Sequence, residues 1–305
     1  MKTITLGNSA LEVSQIALGC MRMSHLTTSD AKHVIENALS LGINFFDHAD
    51  IYGGGKSEEI FADAIGMDST IREKMILQSK CGIRKGFFDF SKAHILDSVD
   101  GILKRLKTDY LDILLLHRPD ALVEPEEVAE AFSKLKESGK VRHFGVSNQN
   151  PMQIELLKKY VKEDLIINQL QLSLMHTPMI DAGLNVNMKH EQAIDHDNSI
   201  LDYCRLNNIT IQPWSPFQYG MMKGVFVGNS DFPEINEKLQ ELAERKGVTD
   251  SAIAIAWLLR HPAQMQPIVG TMNPDRLTDI AKASEIELTR QEWYELYLAA
   301  GNKLP

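Results

Sequence analysis

Asp47, Lys80 and His117 each stand at the end of a β-type run, and Tyr52 follows Asp47 by five positions. A carboxylate, an ammonium, an imidazole and a phenol drawn into one pocket would form an acid–base centre able to hold and deliver a proton. An amine on a strand beside an acid also suits Schiff-base chemistry. Taken singly, each residue has an ordinary role. A lysine after a strand is usually a surface charge, and a histidine a satisfied polar group. Their repeated position at strand ends sets them apart, because parallel barrels carry their chemistry there.

Strand ends converge only if the strands share one sheet. Eight short runs qualify: Ile16–Cys20, Ile43–Asp47, Met75–Lys80, Asp112–His117, Val141–Val146, Ile166–Leu170, Thr210–Pro213 and Gln266–Gly270. Several are almost wholly apolar, as parallel strands buried on both faces are. Helical stretches lie between them. Asp30–Leu41 stops at Gly42, Ser91 can cap a helix to about Leu106, and Glu126–Glu137 stops before Gly139. Pro151 suits the first turn of another helix. Ile235–Lys246, Ser251–Arg260, Pro274–Ala283 and Arg290–Ala300 complete the set. The alternation predicts the α/β class: a (β/α)8 TIM barrel formed by residues 1–305 as a single domain. Thr3–Leu6 and Leu11–Val13, joined through Gly7-Asn8, read as an N-terminal β-hairpin closing the bottom of the barrel. Two long loops, from Ser173 to about Asn198 and from Phe217 to Pro233, follow strands and so belong to the C-terminal face. Neither shows a regular pattern.

With 305 residues, 44% hydrophobic and 24% charged, the chain can bury a large core. A net charge of -9 gives no bulk attraction to nucleic acid or anionic lipid, so neither is an expected partner. Cys20, Cys81 and Cys204 contain no CxxC pair, which argues against disulfides and for a reducing, cytoplasmic location. Ile16–Cys20 has the outline of a lipoprotein cleavage site, but Asn8, Glu12, Ser14 and Gln15 leave it no apolar signal core. No apolar run reaches the roughly 20 residues of a membrane span. His190, Glu191 and His196 lack metal-ligand spacing, so no metal is expected. A monomer is the default for such a barrel.

The residues around the strand ends resemble the aldo-keto reductases. Gly42-Ile43-Asn44-Phe45-Phe46-Asp47-His48-Ala49-Asp50-Ile51-Tyr52-Gly53 is similar to that family's first signature. Leu77-Gln78-Ser79-Lys80 and Leu114-Leu115-Leu116-His117-Arg118-Pro119 look like its continuation, and Gly139–Asn148 resembles a further block. The likeness covers nearly the whole chain and looks like a bacterial branch in which HADIYGG and HRPD also occur. It implies an oxidoreductase passing hydride from a nicotinamide cofactor to a small-molecule aldehyde or ketone. Tyr52 would then be the general acid, Lys80 the charge that tunes it, Asp47 the partner that holds Lys80, and His117 the group that orients the carbonyl. A free phenol titrates near pH 10. Lowering it by about two units takes about 2.7 kcal/mol. An ammonium about 4 Å away supplies up to about 4 kcal/mol at an effective dielectric of about 20.

The same resemblance implies cofactor contacts. Ser147, Asn148 and Gln169 match positions that hold the nicotinamide carboxamide, and Trp214 the position whose ring stacks on it. Ser215 begins the loop that wraps the pyrophosphate, and Met21 joins the cofactor set. Gly270, Thr271 and Met272 open the adenosine-phosphate block, where Thr271 and the start of a helix offer donors and Arg276 a clamp. Gly270 stands where better-known eukaryotic members often have lysine, and Asp279 and Ile280 where they have Glu and Asn. These departures weaken the preference for a 2′-phosphate, while Arg276 still favours NADP(H) over NAD(H). Arg118 and the loop around Met175, His176 and Met179 are candidates to touch substrate. Gly53-Gly54-Gly55 reads as a flexible loop carrying Tyr52. Two other functions fit some of these residues: a nucleotide-binding redox sensor with slow turnover, and a Schiff-base aldolase using Lys80.

Overall fold

The computed structural model describes residues 1–305. Its strands are β1 (Thr3–Thr5), β2 (Glu12–Ser14), β3 (Ala17–Gly19), β4 (Phe45–Asp47), β5 (Ile76–Cys81), β6 (Ile83–Arg84), β7 (Phe87–Phe88), β8 (Leu111–Leu116), β9 (Val141–Ser147), β10 (Leu165–Gln171), β11 (Thr210–Trp214) and β12 (Ile268–Val269). β3, β4, β5, β8, β9, β10 and β11 are neighbours in that order, and β12 pairs back onto β3. All these ladders are parallel. Between β11 and β12 the ring closes through Gln266 N, which donates to the Ile211 carbonyl at 3.0 Å. The chain is therefore a (β/α)8 TIM barrel, as its apolar runs predict. β12 is shorter than the predicted Gln266–Gly270, in part because Pro267 has no N–H to give to a ladder.

Strand parity sorts the side chains. Phe45, Ile113 and Leu115 point inward, into one cluster with Ala17, Ile166, Ile167 and Ile268. Phe46, Leu114 and Leu116 point outward, into the core shared with the surrounding helices. Continuing the inward parity toward the C-terminal end reaches Asp47, then Gln78 and Lys80, then His117. The fold thus aims these polar side chains into the lumen. At the opposite end β1 pairs antiparallel with β2, and Ile4, Leu6 and Val13 join the inner cluster. The hairpin plugs the bottom, as expected.

Some elements were not legible. Helix Lys56–Ile65 starts directly after the three glycines, and helix Ile200–Leu206 follows the first long loop. That loop itself contains helix Pro178–Leu184 and a 3-10 turn, Glu191–Ala193, so it is not irregular throughout. Proline in the first turn starts the short helix without an apolar repeat long enough to announce it. A small hairpin, β6 with β7, also lies on the C-terminal side, after β5. No helix is long and apolar enough to cross a membrane.

Candidate active site

Lys80 lies on β5 with no solvent exposure. Its Nζ is 2.8 Å from both oxygens of Asp47 at the end of β4. It is also 2.7 Å from the His48 carbonyl and 3.1 Å from Tyr52 Oη. An ammonium has three protons, and here three acceptors take them. Tyr52 Oη accepts from Lys80, so its own proton must leave in another direction. Tyr52 lines a cleft and Lys80 does not, so the free direction leads into the cleft. The His117 ring meets the Tyr52 ring edge-on with centroids 6.2 Å apart, and His117 Nδ1 has no protein partner.

The electrostatics differ from expectation at Tyr52. Burial pushes the phenol above its ordinary value, Lys80 pulls it down, and Asp47 pushes it up again, with a net rise. The predicted lowering treated the phenol–ammonium pair alone. It left out the cost of a phenolate in a dry pocket and the carboxylate that offsets the ammonium. Tyr52 is consequently a neutral phenol at physiological pH. Lys80 is raised: burial opposes its charge, but Asp47 and Tyr52 together outweigh burial. Burial, assisted by the charges of Lys80 and Arg118, holds His117 well below its ordinary value, so its imidazole is neutral.

The turn carrying Tyr52 is a 3-10 turn, Tyr52–Gly55, packed closely at two of its three glycines. Gly53, Gly54 and Gly55 have φ of 59°, 66° and 93°, and they turn the chain directly into helix Lys56–Ile65. A side chain at Gly53 would place Cβ 2.5 Å from Ser24 Cβ, and one at Gly55 would place it 2.7 Å from Arg105 Cδ. Left-handed backbone and close approach both call for glycine there. The packed turn fixes Tyr52 over Lys80.

The cleft measures about 1320 Å³ and is lined by Asp47, Tyr52 and His117. All ten residues assigned to cofactor also line it: Met21, Ser147, Asn148, Gln169, Trp214, Ser215, Gly270, Thr271, Met272 and Arg276. Near the tetrad, Ser147 Oγ donates to the Gln169 carbonyl at 3.0 Å, and Asn148 Nδ2 donates to Ser147 Oγ at 2.7 Å. Trp214 Nε1 donates to Asn148 Oδ1 at 3.1 Å. At the far end, the helix Pro274–Ala281 offers fewer backbone donors than its sequence suggests. Pro274 has no N–H, and Arg276 N is already bonded to Asn273 Oδ1 at 2.9 Å. The Thr271 hydroxyl and the guanidinium of Arg276 remain. Arg22, which no sequence motif marks, also lines this end and donates to the Gly270 carbonyl at 3.0 Å. An aromatic ring with amides at one end, and two guanidinium groups at the other, fit an elongated dinucleotide with phosphates.

Arg118 lines the cleft beside the tetrad, its Cζ 5.5 Å from the Trp214 ring centroid. Met175, His176 and Met179 do not line it. His48 is a buried core residue against Phe61, with ring centroids 4.6 Å apart, and Cys20, Cys81 and Cys204 are buried free thiols. No group of three His, Cys, Asp or Glu side chains could hold a metal ion.

Comparison with known proteins bears on the family and the fold. The profile of the Aldo/keto reductase family matches residues 15–297. The oxidoreductase YcsN of Bacillus subtilis is 36% identical, over 95% of each chain. The oxidoreductase YdhF of Escherichia coli is 34% identical over 98% of each, and a 6-dehydroglucose reductase of Agrobacterium fabrum is 34% identical over 99% of each. Among solved structures, the thermostable aldo-keto reductase Tm1743, in complex with the inhibitor epalrestat, superposes with a TM-score of 0.77. That match covers 98% of this chain and 100% of the other at 25% identity. The chain belongs to the aldo/keto reductase family.

Proposed function

We propose that the chain reduces an aldehyde or ketone to an alcohol, with NADP(H) preferred over NAD(H) and Tyr52 as the proton donor. A bound reduced nicotinamide supplies the hydride. Ser147, Asn148 and Gln169 would hold its carboxamide, Trp214 would face its ring, and Arg22, Thr271 and Arg276 would take its phosphates. The observation that carries the reading is Lys80 Nζ 3.1 Å from Tyr52 Oη, with the other two ammonium protons committed to Asp47 and His48. Lys80 thus stabilises negative charge as it develops on the phenol oxygen, while the phenol proton faces the cleft. Neutral His117 donates a hydrogen bond to the carbonyl oxygen and sets its angle to Tyr52. Asp47 fixes the lysine.

The aldolase reading loses ground for a physical reason. Schiff-base formation needs a neutral, exposed amine. Lys80 is charged, sealed beneath Tyr52 and committed to three acceptors. Nothing in the cleft favours the slow redox sensor over an enzyme. The likeness to 6-dehydroglucose reductase makes 6-dehydroglucose a first substrate to try. The reading is tested by single-turnover oxidation of bound NADPH by a carbonyl panel, comparing wild type with Tyr52→Phe.

A further inference from the structure

The lumen beneath the tetrad holds four buried glutamines, Gln78, Gln169, Gln212 and Gln266. They form one directed chain. Gln266 Nε2 donates to the Ser14 carbonyl at 2.7 Å, and Gln212 Nε2 donates to Gln266 Oε1 at 2.8 Å. Gln212 Oε1 accepts from Gln78 Nε2 at 2.9 Å and from Gln169 Nε2 at 3.1 Å. The second proton of each of these two amides goes to Asp47 Oδ1, at 2.6 Å from Gln78 and 3.1 Å from Gln169.

The orientation of every amide in this chain is forced. At one end stands a backbone carbonyl and at the other a carboxylate, and neither can donate. Ser14 therefore turns the Gln266 nitrogen toward itself, which turns the Gln212 nitrogen toward Gln266. The Gln212 oxygen is then left for Gln78 and Gln169, in agreement with the demand of Asp47 for donors. Gln78 Oε1 is stranded in the interior with no partner. A buried acceptor is seldom left so, and here both protons of the same amide are needed elsewhere. Gln169 gives its nitrogen to the floor, so its oxygen is the end free to meet the cleft that it lines.

We propose that Gln78 is a positioning residue for the reduction, acting through Asp47. This rests on Tyr52 being the acid. Gln78 does not line the cleft and so has no route to substrate or cofactor except through its partners. By anchoring Asp47 from below, it fixes the carboxylate on which Lys80 rests, and through Lys80 the hydrogen bond to Tyr52. It also spreads the Asp47 charge, which otherwise acts against ionisation of the phenol.

The test is a pH series of single-turnover oxidation of bound NADPH by saturating 4-nitrobenzaldehyde. Wild type, Gln78→Glu, Gln78→Leu and Tyr52→Phe are compared, with NADPH binding followed in parallel by tryptophan fluorescence. In Gln78→Glu the introduced carboxyl can donate to Asp47 only while protonated, and once ionised it opposes Asp47 as a like charge. Its rate is expected within about threefold of wild type at low pH, then to fall about tenfold per pH unit above a new apparent pKa. Gln78→Leu, which cannot donate at any pH, is expected to be slower by about tenfold or more with no new ionisation. NADPH affinity should stay within about threefold throughout. A Gln78→Glu profile parallel to wild type, or a Gln78→Leu rate within about twofold of wild type, overturns the proposal. If Gln78→Leu does not fold, the two ends of the Gln78→Glu profile decide the matter on one sample. Inactive Tyr52→Phe beside Gln78 variants that behave as wild type removes only this inference, whereas active Tyr52→Phe removes the acid assignment as well.

Discussion

Trp214 Nε1 donates to Asn148 Oδ1 at 3.1 Å, and Asn148 sits in the left-handed region with φ of 57°. Asparagine tolerates that backbone better than most residues, and its side-chain oxygen locks the indole that would face the nicotinamide. Asn148→Ala is expected to free the ring and strain the turn. NADPH affinity should fall by about tenfold, read as quenching of tryptophan fluorescence. Unchanged affinity would mean that the ring needs no such lock.

The phosphate end gives a second expectation. Arg276 and Arg22 both line it. Arg276→Ala should weaken NADPH by about tenfold and NADH by about threefold or less, because only NADPH carries the 2′-phosphate. The gap should narrow at high salt, since Arg276 is exposed. Equal losses for the two nucleotides would argue against a 2′-phosphate contact.

Gly55 offers a stability test. A Cβ there would press on Arg105, whose Nε lies 2.7 Å from Glu58 Oε2. Gly55→Ala also imposes a φ of 93° on a residue with a side chain. A loss of about 2–4 kcal/mol in urea unfolding is expected, together with reduced turnover as Tyr52 shifts. A neutral change would show that the turn has slack.

Stability should also fall on acidification. Burial, aided by Lys80, pushes His48 down to about 3, so the native state resists a proton that the unfolded chain accepts near 6.5. The unfolded state binds more protons across that window, and stability therefore drops as pH falls from 6.5 toward 3. His261, pushed down to about 4 chiefly by burial, acts in the same direction. Asp50, pushed up to about 7 by burial and Glu58, acts oppositely: the native state binds its proton more tightly as pH falls from 7. His48→Leu should remove the first contribution, so its urea midpoint should gain on wild type between pH 7.5 and 4.5. A constant difference across that range would contradict the assignment to His48.

Strand ends carried most of what could be read in the sequence. Asp47, Lys80 and His117 occupy inward positions of β4, the C-terminal half of β5 and the step beyond β8, and parity along apolar runs is a strong local signal. Gln78, Gln212 and Gln266 carry no motif, because an amide in a short apolar run has none. Their polar character at inward positions was the available clue. Helix Lys56–Ile65 is masked by the glycines before it, of which Gly53 is closely approached by Ser24 and Gly55 by Arg105, contacts that no local spacing announces. The Tyr52 shift runs opposite to the sequence expectation for a similar reason. Spacing identifies a charge near the phenol, but only the packed pocket sets how much water the phenolate would lose.

The most direct measurement is the single-turnover rate of NADPH oxidation by a reactive aldehyde in wild type, Tyr52→Phe and Lys80→Met, each shown beforehand to bind NADPH. Both variants are expected to lose at least about a hundredfold in rate while Tyr52→Phe keeps its NADPH affinity. A Tyr52→Phe rate close to wild type would contradict the account, because the proton would then reach the carbonyl from another group.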